Sequence, residues 1–217
     1  MGFSRILSHE REISILKRAV KTNRVAHAYI FAGIDGIGKR LTAFELARAL
    51  NCEEPSEGDS CGLCASCAAF DTAGNVNYKE ISPEGGYLKI DKSRDLQKAV
   101  RHKVDTDTRV SVVDGADSMQ QQAANAFLKT LEEPTPGTVI VLLTHRPSLL
   151  LPTILSRCQR INFSPLSKDT VASLIMETGS EHPLSEEEAR SIASISMGSM
   201  TGALMALRSG VFKGEAD

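Results

Sequence analysis

The sequence of 217 residues has no tryptophan and only seven phenylalanines and three tyrosines. That scarcity argues against stacking of single-stranded bases on an aromatic platform as a main activity. Excess charge of either sign is also missing: the formal net charge is -2, so no global basic field exists to hold nucleic acid by phosphate neutralisation alone. Any contact with DNA has to be local or shared with partners. No stretch approaches the roughly 18 apolar residues of a membrane span, and Met1 to Ser8 lacks a charged segment followed by a long apolar run. A membrane is therefore not an expected partner, and the expected location is the cytoplasm. With 41% hydrophobic residues, the chain is long enough for one good core and a small second domain.

Cysteine is present but unevenly spread. Four of the five cysteines fall between Cys52 and Cys67, which in a reducing compartment points to a metal more than to disulfides. Cys52, Cys61, Cys64 and Cys67 form C-x8-C-x2-C-x2-C. Four thiolates at this spacing can converge on one tetrahedral Zn²⁺, and with every position taken by sulfur no place remains for a catalytic water. The expected metal is thus structural. An iron–sulfur cluster is the rival, although Glu53, Glu54, Glu57, Asp59 and Ser60 give it little apolar shielding. Cys158 stands alone and reads as a small packing residue.

Apolar spacing supplies the fold class. Ile13, Leu16 and Val20 mark one face of a helix, and Tyr29-Ile30-Phe31-Ala32 is a continuous apolar run before a glycine-rich turn and a second helix with Leu41, Phe44, Leu46 and Leu50. Val110 to Asp114 and Val139 to Thr144 repeat the strand pattern, with a helix carrying Ala124, Phe127, Leu128 and Leu131 between them. Continuous apolar strands separated by amphipathic helices predict a doubly wound α/β domain, with a parallel sheet covered on both faces. Ser164-Pro165 breaks the pattern. Three helical stretches follow, near Lys168 to Met176, Glu186 to Ile195 and Met200 to Arg208, and the tail Gly214 to Asp217 is polar.

Gly33-Ile34-Asp35-Gly36-Ile37-Gly38-Lys39 fits G-x-x-x-x-G-K between an apolar strand and a helix, the context in which backbone N–H groups and a lysine cradle phosphate. The next position is Arg40, where Ser or Thr would hold Mg²⁺, and a guanidinium cannot ligate a metal. Thr42 is displaced by two residues. Asp114 occupies the usual Mg²⁺-supporting position at a strand end, but Gly115 follows where a Glu would polarise water. Asp117 could compensate only in an unusual loop. Two readings stay open: a loop that retains an inherited shape, and an active hydrolase using Lys39, Asp114 and a relocated acid.

His27 to Gly33, the cysteine module behind the phosphate loop, Asn125-Ala126-Phe127-Leu128-Lys129-Thr130-Leu131-Glu132-Glu133-Pro134, and Leu150 through Ser156-Arg157-Cys158 together resemble the clamp-loader branch of the AAA+ family, in its bacterial delta-prime form. The resemblance runs over nearly the whole chain. It implies an AAA+ P-loop domain over 1–164 with a zinc module at 52–67, and a helical lid domain over 165–217. The nucleotide site it implies, degraded, comprises Gly33, Gly36, Gly38, Lys39, Asp114 and Thr144, the last at a sensor position. Thr201, within Gly198 to Leu204, stands where active subunits carry a second-sensor arginine.

The resemblance further implies that Arg157 is an arginine finger, acting in trans on the γ-phosphate of a neighbour; by composition alone it is a surface salt-bridge arginine. Arg40, Gly115 and Thr201 depart together from the active pattern, as in a largely non-catalytic subunit without polymerase or ATPase activity of its own. The implied partners are gamma/tau and delta subunits, the sliding clamp, and primed DNA through the assembled DNA polymerase III complex. An active ATPase of the gamma/tau type is the alternative. The family's C-terminal collar has no room after Gly210, so the chain is expected to be a fragment without it. Its expected state alone is monomeric. His27 reads as a packed or capping residue, and Lys129 and Glu132 as an exposed helix face open to solvent or to a subunit contact.

Overall fold

A computed structural model describes residues 2–72, 75–83, 87–88, 108–178 and 184–210; the polar tail at 214–217 lies outside them. Five strands form one parallel sheet: β1 Ala28–Ala32, β2 Tyr78–Ile81, β3 Arg109–Val113, β4 Thr138–Thr144 and β5 Gln159–Asn162. Their order is β2-β3-β4-β1-β5. Every residue of β1 and β4 is buried, because helices cover both faces of the centre of the sheet, as its continuous apolar strands predict. Successive side chains alternate between two cores. Tyr29, Phe31, Val110, Val112, Val141 and Leu143 face one cluster, and Ala28, Ile30, Val113, Ile140 and Leu142 face the other.

The first face is closed by α1 (Glu10–Lys21), through Leu16, and by α2 (Lys39–Leu50), through Ala43, Leu46 and Ala47. The second is closed by α4 (Gln121–Glu132), through Phe127 and Leu131, and by the short α5 (Pro152–Leu155), through Ile154. Between α2 and β2 lie the cysteine-rich segment and α3 (Ala65–Asp71). Neither α3 nor the edge strand β2 is marked by apolar spacing: β2 reads Tyr-Lys-Glu-Ile.

Three helices end the described chain, α6 (Lys168–Glu177), α7 (Glu186–Ile195) and α8 (Met200–Ser209). Each starts at a serine whose hydroxyl accepts a backbone N–H: Ser167 from Thr170, Ser185 from Glu188 and Ser199 from Gly202. Ser185 and Glu188 complete a reciprocal capping box. Val171, Ile175, Ile192 and Ala203 pack into the first cluster, continuous with the sheet through Phe163 and Leu166. Among the described residues, no helix is long and apolar enough to cross a membrane.

The register places Ala32 opposite both Thr144 and Asn162. The loops after β1, β3, β4 and β5 therefore share the carboxyl edge of the sheet, where open α/β sheets take their ligands. Leu142, central and fully buried, tests this core. Leu142→Ala should lower stability by about 2–5 kcal/mol through lost burial and a cavity, whereas exposed Val76→Ala should stay within about 0.5 kcal/mol; urea denaturation followed by far-UV circular dichroism measures both.

Candidate functional site

The loop from Gly33 to Lys39 leaves β1 under tight constraint. A Cβ on Gly33 would come within 2.6 Å of both the Phe163 carbonyl and the Ile37 side chain. Gly36 and Gly38 have φ of 75° and 96°, a left-handed backbone that glycine adopts without strain. Ile37 is buried beneath the loop, and its carbonyl accepts from Nε2 of His9 at 2.8 Å. His9 is itself buried, edge-on to Phe163. Its part in holding the loop has no local signal in the sequence, since the two residues are 28 positions apart.

Lys39 opens α2 with its side chain only 7% exposed. Nζ turns back to donate to the Gly33 carbonyl at 2.6 Å and the Ile34 carbonyl at 2.7 Å, with an Asp35 carboxylate oxygen 3.6 Å away. Burial pulls its pKa below the usual lysine value, against the pull of Asp35 and Asp114. Arg40 is paired with Glu80 of β2 at 2.6 Å. The Thr42 hydroxyl donates to the Gly38 carbonyl at 2.9 Å, so its proton is committed to the helix start.

A cavity of about 280 Å³ is lined by Asp35, Gly36, Gly38, Lys39, Arg40, Asp114, Leu143 and Thr201. Four of the six residues named from sequence for this site lie in or beside it in the loop, and Asp114 joins them from the end of β3. Thr144 lies one residue beyond the lining, and its hydroxyl donates to Asp117 at 2.7 Å. Asp117 also meets Arg146 at 3.2 Å and His145 at 3.5 Å, with its side chain 1% exposed. Burial raises its carboxyl, but the Thr144 hydrogen bond and the neighbouring His145 and Arg146 together leave it below the usual carboxylate range. Asp117 is thus fully engaged inside the protein and supplies no carboxylate to the cavity in place of Gly115. At the start of α8, the hydroxyl of the capping Ser199 donates to the Asp35 carbonyl at 2.6 Å and Met200 N–H to the Gly36 carbonyl at 2.9 Å.

Arg157 follows α5 and does not line this cavity. Nη1 donates to the Thr153 carbonyl at 3.0 Å and the Ser156 hydroxyl at 3.3 Å, while Nη2 lies 3.0 Å from Glu132. The pair is 36% and 48% exposed. Glu132, on sequence grounds a member of a solvated or subunit-facing surface, is the counterion of Arg157. Cys158 packs against the second core cluster, and burial pushes its thiol up to about 11.

The four clustered cysteines converge as their spacing requires. Their sulfurs all lie within 4.8 Å of one another, with Cys52 to Cys64 and Cys61 to Cys67 both at 4.0 Å. Four sulfurs at the ~2.3 Å bond length of a tetrahedral zinc site would stand ~3.8 Å apart, so the cluster fits a structural metal such as zinc with small adjustment. Backbone N–H groups already point at the sulfurs: Cys61 N to Cys52 at 3.2 Å, Cys64 N to Cys61 at 3.4 Å and Cys67 N to Cys64 at 3.4 Å. The knuckle is tied down by Asp59, which accepts from Phe3 N–H at 3.0 Å and pairs with Lys17 at 3.1 Å. Gly58 rests directly on the Lys17 backbone.

Without metal the thiols differ. N–H groups of Leu63 and Cys64 pull Cys61 down to about 6, while burial pushes Cys52 up to about 12. Because Cys61 is depressed below the ordinary thiol value of roughly 8.5, the stability it adds is present above that value and is lost as pH falls through about 6. With Cys61 held below the ordinary thiol range, metal uptake at pH 7 should release fewer than four protons, and affinity should fall with falling pH. Titration calorimetry in buffers of different ionisation enthalpy counts them; release of four protons at pH 7 would contradict the low Cys61 value.

A family model described as "DNA polymerase III, delta subunit" matches residues 8–167. The chain is similar to DNA polymerase III subunit delta' of Pseudomonas aeruginosa, 40% identical over 61% of this chain and 42% of that protein. It is also similar to DNA polymerase III subunit delta' of Bacillus subtilis, 32% identical over 77% of this chain and 51% of that protein. Among solved structures, a DNA polymerase III gamma subunit-related protein from Thermotoga maritima superposes with a TM-score of 0.56 at 29% identity, covering 75% of this chain and 49% of the other. The chain thus spans about half the length of the curated relatives it matches. Since that family match takes in the phosphate loop, the cysteine cluster and Arg157, the chain belongs to the DNA polymerase III delta subunit family.

Proposed function

We propose that the chain is the delta-prime-type subunit of a bacterial DNA polymerase III clamp loader, a largely non-catalytic AAA+ member that offers Arg157 to the nucleotide site of a neighbouring ATPase subunit. The observation that carries this reading is the internal satisfaction of the phosphate loop. Lys39 is spent on the Gly33 and Ile34 carbonyls, Arg40 on Glu80 and Asp117 on Thr144 and Arg146. A γ-phosphate would have to displace the lysine from two short hydrogen bonds, and no carboxylate follows Asp114 to orient water. Arg157 differs: its ion pair with Glu132 is half in solvent, where such pairs contribute only about 0.2–1 kcal/mol. A phosphoryl group on a neighbour can take over the guanidinium at small cost.

In this reading, residues 1–164 form the P-loop domain, with the zinc module at 52–67, and 165–217 form the lid. The cysteines hold Zn²⁺ as a structural clip. The subunit works in the cytoplasm beside gamma/tau and delta subunits, and the assembled complex opens the sliding clamp and places it on primed DNA. A second reading, an active ATPase of the gamma/tau type, is supported by the cavity that Lys39 and Asp114 share and by the likeness to a gamma subunit-related protein.

Calorimetry with ATP and Mg²⁺ on the full-length subunit separates the two. The proposal expects no turnover; steady hydrolysis by the isolated subunit would establish the second reading. In a reconstituted loader, Arg157→Ala should lower DNA- and clamp-stimulated ATP hydrolysis at the site it serves by on the order of 10³-fold, and an unchanged single-turnover rate at that site would refute the finger.

A further inference from the structure

The cysteine cluster has an unequal environment. Cys67 and Cys52 are buried on its inner side, whereas Cys61 and Cys64 are partly exposed. Four thiolates around one Zn²⁺ carry a net charge of minus two, and burying part of that charge is costly unless a cation lies beside it. The inner side holds one such cation. Arg48 projects from α2 with its side chain 0% exposed, and its guanidinium abuts the Cys67 thiol.

The guanidinium is fixed from the far side. Nη1 and Nη2 donate to the two carboxylate oxygens of Asp71 at 3.0 and 2.9 Å, a bidentate pairing that sets the plane of the group as well as its position. Asp71 is the last residue of α3, the helix that carries Cys67, and its side chain is 43% exposed. Nε is left buried without a hydrogen-bond partner. On an arginine this deeply buried, such a donor needs an explanation. Glu45, also buried on α2, adds negative charge near Arg48 but is paired with Arg5 at 3.2 Å.

We infer that Arg48 is a positioning residue of the metal centre: oriented by Asp71, it sets its positive charge and free N–H against the inner thiolates and so slows metal loss. This rests on reading the cysteine cluster as a metal site. A plain strut between α2 and α3 would account for the Asp71 contact but not for the interaction of the guanidinium with Cys67 or for the unpartnered Nε.

The two roles part in zinc release, measured with a chromogenic chelator on the full chain, alongside the cobalt-substituted absorption spectrum. Groups that orient metal ligands commonly contribute 10- to 100-fold in affinity. Arg48→Met should therefore release zinc about 10-fold faster or more and shift the cobalt–thiolate bands, with Arg48→Lys intermediate and Asp71→Asn smaller in effect. Leu142→Ala, in the core cluster on the other face of the sheet, serves as a destabilising control and should leave the cobalt bands in place. Wild-type release rates and bands in folded Arg48→Met would overturn the role; if that variant does not fold, wild-type behaviour in both Arg48→Lys and Asp71→Asn does so. A wild-type chain that takes up neither zinc nor cobalt overturns the metal reading itself, and this role with it.

Discussion

The burial of β1 and β4 on both faces governs the remainder of the molecule. A strand with apolar cores on either side has no position for a functional polar side chain, because an unpaired polar group there would cost roughly 1–3 kcal/mol or more. Chemistry is therefore displaced to the strand ends, and the parallel arrangement sends all five carboxyl ends to one edge. Gly33, Asp114, Thr144 and Phe163 meet there for that reason. The glycines of the loop follow from the same crowding, since Gly33 has the Phe163 carbonyl and Ile37 within touching distance.

At this edge the polar groups have mostly found one another. Lysine with loop carbonyls, Arg40 with Glu80, Asp117 with Thr144 and Arg146, and Ser199 with the Asp35 carbonyl form a set in which few strong donors or acceptors are left over. Arg157 and Glu132 sit apart on the outer surface, in a contact weak enough to be exchanged. The contrast between a closed interior set and an exposed arginine is a difference in desolvation more than in residue type.

The central strands, the long helices and the convergence of four cysteines were legible because each depends on local spacing: period two or continuous burial, period three to four, and C-x2-C steps. The edge strand β2 was not, since its Lys79 and Glu80 interrupt the apolar run, and α3 was too short for a repeat to show. Position in a motif located Lys39, Asp114 and Arg157, but not their partners. Glu80, Glu132 and His9 become meaningful only when residues 25 or more apart meet, and no local rule encodes that. Thr144 shows the same limit from the other side: its place at a strand end was foreseen, while the direction of its hydroxyl depends on Asp117.

The segment from Phe3 to His9 touches three parts of the molecule in succession. Phe3 N–H bonds to Asp59 of the cysteine knuckle, Arg5 pairs with Glu45 of α2, and His9 holds the Ile37 carbonyl of the phosphate loop. These seven residues are thus a mechanical strap between the two chemically distinct regions. Displacing the strap would remove a contact from the knuckle, from α2 and from the phosphate loop at once.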